Sequence, residues 1–142
     1  MSEIKATTSD TATLDPSLVT YTNVIYALHA LSALMGILTA TTVVGNFLFG
    51  LPSIIAVIMN YARASAVHGT YLESHFRWQI RTFWFALLLS VIVWAVSLPL
   101  MIFVVGFLSL PIGFALIAVW LIYRIVRGWL ALRAARPMYL SR

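Results

Sequence analysis

The side chains able to do chemistry are few. Three His, four acids and no Cys stand among 142 residues, so thiolate nucleophiles, disulfides and Cys-based metal or iron–sulfur centres have no ligand to start from. Glu73 is the one acid beyond residue 15. That leaves no pair of carboxylates to share acid–base work, and neither a Ser-His-Asp set nor a phosphate-cradling Gly loop is present. His68, Glu73 and His75 offer ordinary zinc-ligating atoms. On one helix, however, Glu73 and His75 project about 200° apart, and no HExxH pattern supports them. The expectation is a protein without catalysis, metal or cofactor. His29 differs in kind, because it lies about two turns into an apolar segment, where a titratable group is by default a candidate for function. A neutral imidazole bonded to a facing helix is the simpler expectation.

The richest polar stretch is ARASAVHGTYLESHFRWQIRTFW. Thr70 followed by Glu73 fits a capping box, in which hydroxyl and carboxylate satisfy free backbone donors at a helix start. On the helix that follows, Glu73, Arg77 and Arg81 fall four apart on one stripe, with Glu N-terminal to Arg in the favourable order. His75 and Gln79 form a neighbouring stripe, while Phe76, Ile80 and Phe83 take another face. An amphipathic helix at the bilayer surface, running on into the membrane, accounts for all three. Trp78 and Trp84 suit the interfacial belt. Glu73, His75, Arg77, Gln79 and Arg81 are therefore the expected binding residues, presented together on the surface.

The elements that must position these residues follow from composition. Hydrophobic residues make up 62% of the chain and charged ones only 9%, against about a quarter charged in a soluble domain. The balance points to an integral membrane protein and away from a soluble enzyme or a nucleic-acid-binding domain. Residues 1–20 hold Lys5 against Glu3, Asp10 and Asp15 and have little to bury, which predicts a mobile tail. An acidic start and a long apolar run do not fit a signal peptide.

Residues 21–61 are too long for one span, and Gly45-Asn46 with Gly50-Leu51-Pro52 supply the punctuation for a break. The expected spans are 21–44, 47–61, 82–107 and 111–132, in one transmembrane domain over 21–132 followed by a basic tail, 133–142. Pro99 should kink the third span. Ser109 and Pro111 should open the fourth. Asn46 and Asn60 fall near span ends as turn or cap residues, and the three-residue spacing of Ala27, Ala30, Ala33 and Gly36 permits close helix packing. The stretch RIVRGWLALRAARPMYLSR carries five Arg and no acid. Four spans put every basic residue on one face, so the positive-inside rule makes both termini and the 63–81 connection cytoplasmic.

The stretch GTYLESHFRWQIRTFW, with IIAVIMNYAR before it and VWLIYRIVRGW and RPMY after it, resembles a family of small bacterial inner-membrane proteins defined as a domain of unknown function. That family is in turn similar to the channel-type subunit of the chloroplast inner-envelope protein translocon. The resemblance covers roughly residues 24–139 and is most specific at His75, Arg77, Gln79, Arg81 and Trp84. The first hairpin is longer here, by a segment around 43–52. Together the readings predict an all-α, four-span protein of the bacterial inner membrane, serving as an accessory or assembly subunit. Its partners would be the bilayer with its anionic lipids, other membrane proteins or further copies of itself, and not nucleic acid. A small homo-oligomeric transporter or channel, lined by His29 and the Pro99 kink, is the alternative.

Overall fold

The computed structural model describes residues 14–39 and 43–139. Every regular element among them is helical. Four α-helices succeed one another: α1 Pro16–Thr39, α2 Val43–Ala62, α3 Tyr71–Leu100 and α4 Gly106–Arg133. Short 3-10 turns at Ser65–Val67 and Met101–Phe103 lie before and after α3. Three stretches, Pro16–Leu38, Tyr71–Phe103 and Gly106–Arg133, are long and apolar enough to cross a membrane; Gly50–Ala62 is a shorter apolar helix.

The first helix begins five residues before the expected span, inside the stretch read as a tail. Its start is a textual signal that composition hides: the Asp15 carboxylate accepts the Ser17 N–H at 2.9 Å, and Pro16 occupies the first helical position, where its missing N–H costs nothing. The tail reading for residues 1–13 lies outside the described residues. The punctuation at 45–52 does not break the chain, since Gly45, Asn46, Gly50 and Pro52 all fall within α2; the Asn46 side chain lies outside the described residues. The helix expected to start at Tyr71 and run on into the 82–107 stretch is one element, since α3 continues unbroken from Tyr71 to Leu100. At 1.5 Å per residue its 30 residues reach about 45 Å, well beyond a hydrocarbon core of about 30 Å. Its first turns can therefore stand outside the apolar layer without interrupting the helix. The fourth helix opens at Gly106, so Pro111 sits within it.

Burial is inverted relative to a soluble domain. Leu38, Ile102, Phe103, Leu116 and Val119 are among many large apolar side chains facing outward, while Thr22, His29, Ser32, Asn60, His75, Gln79, Thr82 and Ser97 are buried. On α1 the inward stripe is Leu18, Thr22, Ile25, Tyr26, His29, Ser32 and Ala33, a helical period carrying polar groups inward. Such a molecule exposes to its surroundings what water would reject, and lipid is the solvent that matches it. The expected small-residue stripe contributes through Ala33, which is buried, whereas Ala27 is exposed.

The helices pack as two hairpins, α1 on α2 and α3 on α4, joined chiefly through α1 against α4. Two close approaches set that geometry. A Cβ on Gly128 of α4 would stand 2.5 Å from the Tyr26 hydroxyl of α1, and one on Gly113 would stand 2.8 Å from Val93 of α3. With these contacts, the start of α1, the start of α3 and the end of α4 meet at one end of the bundle.

Candidate functional site

That end holds the polar machinery. His75, on the inward stripe of α3, lies between two other segments: its Nδ1 is 2.9 Å from the Tyr26 hydroxyl of α1, and its Nε2 is 2.8 Å from the Arg136 carbonyl oxygen beyond α4. A carbonyl can only accept, so in the neutral ring Nε2 carries the proton and Nδ1 accepts from Tyr26. One imidazole thus joins the first helix, the third helix and the C-terminal segment. Nearby, the Met138 N–H donates to Ser74 Oγ at 2.9 Å, and Trp129 Nε1 donates to Asn23 Oδ1 at 2.9 Å.

A second group surrounds Trp78. The Arg124 guanidinium lies 3.7 Å from the Trp78 ring centroid and 5.1 Å from that of Trp120, and its Nε donates to Thr82 Oγ1 at 2.8 Å. Thr82 passes its own proton to the Trp78 carbonyl, while Trp78 Nε1 donates to the Arg124 carbonyl at 3.2 Å. Two aromatic faces and the hydroxyls of Thr82 and Tyr139 thus stabilise a cation that has no carboxylate partner among the described residues. Trp78 is buried beneath it, which corrects the expectation of an interfacial Trp. Trp84 is exposed and bonds the Tyr61 hydroxyl at 3.2 Å.

The five expected binding residues do not share one surface. Glu73 and Arg77 do: Arg77 Nη2 donates to Glu73 Oε1 at 2.9 Å, with His68 Nδ1 3.4 Å from the other carboxylate oxygen. Arg81, four residues on, is exposed as well, lying 5.9 Å from the Tyr139 ring. His75 and Gln79, by contrast, are buried at 0% and 1% exposure, because their stripe is the one α3 turns toward α1. Reading them as surface residues was a choice of face, and periodicity alone does not decide which polar stripe turns inward. The capping box is also displaced by one residue: Glu73 Oε2 accepts the Gly69 N–H at 2.9 Å, while the Thr70 hydroxyl donates to the Val67 carbonyl.

His29 meets a facing helix, its Nδ1 3.1 Å from Ser53 Oγ of α2. Its Nε2 and both amide atoms of Gln79 are buried without a hydrogen-bond partner, as are both amide atoms of Asn60. Asn60 is therefore neither turn nor cap. His29 and Gln79 line a void of about 10 Å³ with Tyr26, Thr82 and Arg124, room for about one water. Among the described residues no group of three or more His, Asp or Glu could hold a metal ion.

Arg124 is the residue that sequence reasoning passed over. A cation inside an apolar run, four residues after Trp120, carried the signal; it was absorbed into the count of basic residues that fixes topology. The chain matches no family model, no curated protein and no solved structure.

Proposed function

We propose that the protein is a four-span component of the bacterial cytoplasmic membrane that binds other membrane components, as a non-catalytic accessory or assembly subunit, through its basic end. Both termini and the 63–70 connection would then be cytoplasmic. The observation that carries this reading is the use to which the buried polar groups are put. His75, Tyr26, Asn23, Trp129 and Arg124 bind one helix to another, and the void beside them holds about 10 Å³, too little for a solute or a hydrated ion. What remains for recognition lies outside: Glu73 with Arg77, and Arg81 beside Tyr139.

A photo-crosslinking residue in place of Arg77 should capture a partner subunit in native membranes, whereas one at Val96, on the far half of α3, should not. Equal capture at both positions, or none at either, removes the reading. Cysteines placed singly at Ser65 and Ser109 test its topology, and labelling of Ser65→Cys from the periplasmic side defeats it. The transport reading draws on a separate observation, the unpartnered buried atoms of His29, Gln79 and Asn60. It gains the lead if His29→Ala abolishes an ion or proton flux in vesicles while the protein stays folded.

A further inference from the structure

A concavity lies on the outer face of α4, away from the buried polar groups. Its volume is about 730 Å³, within the range of ligand-sized clefts. Val119, Ile122 and Val126 form its apolar wall, and Arg127 and Arg136 stand at its rim. The wall residues are 68%, 41% and 49% exposed, with no element among the described residues covering them.

We propose that this groove is a binding site for one anionic phospholipid, with the headgroup phosphate held by Arg127 and Arg136 and an acyl chain laid along Val119, Ile122 and Val126. Charge is the first argument. The described residues contain seven Arg and only two acids, Asp15 and Glu73, and Glu73 is engaged by Arg77 and His68. Arg127 spends one donor on the Tyr123 hydroxyl, 3.1 Å away, and neither rim Arg has a carboxylate among the described residues. A phosphate supplies the missing anion and accepts several N–H donors at once.

Dimensions agree with a lipid. From Val119 to Arg127 the helix rises about 12 Å, most of the roughly 15 Å depth of one leaflet. Apolar wall and cationic rim are thus stacked in the order in which a phospholipid stacks its chain and its headgroup. The rim is also preformed. Pro137 and Met138 close the groove on one side, and that segment is fastened to α3 by the His75 bond to the Arg136 carbonyl and by the Met138 bond to Ser74. Less ordering therefore remains to be done on binding.

The inference rests on the membrane reading above and not on the partner reading. The full-length protein, delipidated in detergent, is titrated with dioleoyl phosphatidylglycerol or dioleoyl phosphatidylcholine, and bound lipid is counted by native mass spectrometry. One phosphatidylglycerol should be retained in preference to phosphatidylcholine, with a preference that falls as salt rises. Arg127→Gln/Arg136→Gln should weaken it by about thirtyfold, at about fivefold per Arg. Arg63→Gln/Arg133→Gln removes the same charge outside the groove and should change it little. Val126→Trp fills the groove with the rim intact and should also lose the lipid, which separates a built site from diffuse attraction.

Equal retention of the two lipids, or equal loss in both double variants, overturns the proposal. So does an Ile122→Cys disulfide dimer that forms undiminished in excess phosphatidylglycerol, because the groove then belongs to a second copy. Extraction of the protein from native membranes by alkaline carbonate overturns the membrane reading and this inference together, whereas the lipid results alone leave the membrane reading standing.

Discussion

The two ends of the bundle are held by different means. At the basic end three segments are joined by directional contacts: Tyr26 to His75 to the Arg136 carbonyl, Asn23 to Trp129, and Arg124 to Thr82 between two Trp faces. At the far end the α3–α4 hairpin turns through a tight 3-10 segment with a half-buried hydroxyl pair, Ser109 to Ser97 at 2.9 Å. Ile102, Phe103 and Val104 there are 82%, 73% and 71% exposed. Side chains that can choose among partners sit where specific geometry matters, and generic apolar contact serves where lipid is the neighbour.

Substitutions should sort by end. Gly128→Val should have the largest effect, a loss of about 3 kcal/mol, because the added carbons meet a Tyr26 ring that His75 holds from its other side. Thermal unfolding in detergent measures it, and a loss below 1 kcal/mol would mean that α1 and α4 can part without cost. His75→Ala orphans a hydroxyl and a carbonyl near the water interface, and should cost about 2 kcal/mol. It should also free the C-terminal segment, so that the Met138 N–H, which bonds Ser74 Oγ, exchanges with solvent sooner than in the parent; unchanged exchange would remove His75 from its role as the clasp.

The far end invites the opposite sign. Val104 adopts a left-handed backbone, φ 64°, which a β-branched residue enters only at a cost of about 1–2 kcal/mol. Val104→Gly should therefore stabilise the protein by about 1 kcal/mol, and a fall in melting temperature would contradict the strained turn. Ser109→Ala, which removes the hydroxyl pair, should cost about 0.6 kcal/mol, making that bond the weakest of those compared.

The smallest effect is a pH dependence at the start of α1. Backbone and hydroxyl hydrogen bonds from Ser17 hold the exposed Asp15 carboxyl below its ordinary range, with a smaller contribution from Arg63. A lowered folded value means that the cap's contribution is present above the unfolded pKa, about 3.9, and is lost as pH falls through the folded one. Protection of the first-turn amides of α1 against hydrogen exchange, taken relative to the intrinsic rate at each pH, should fall on going from pH 6 to pH 3, and Asp15→Asn should abolish that change.

The helical character of the chain and its apolar surface were legible from the sequence, because they depend on run length and composition, which are local quantities. The gathering of Arg63, Arg77, Arg81 and Arg136 toward one end was legible too, since alternating elements separate charged from uncharged connections, whereas the place of Arg124 inside an apolar run was not. Helix limits were less so: the Asp15-Pro16 start was a readable cap masked by a polar neighbourhood, and Gly and Pro at 45–52 did not punctuate, because a membrane helix can carry both. Which polar stripe of α3 turns inward was beyond any local rule. Glu73 with Arg77 and His75 with Gln79 are equally good stripes by spacing. The tertiary structure decided between them, because only the arrival of Tyr26 and the Arg136 carbonyl from opposite ends of the chain gives both nitrogens of the buried His75 a partner.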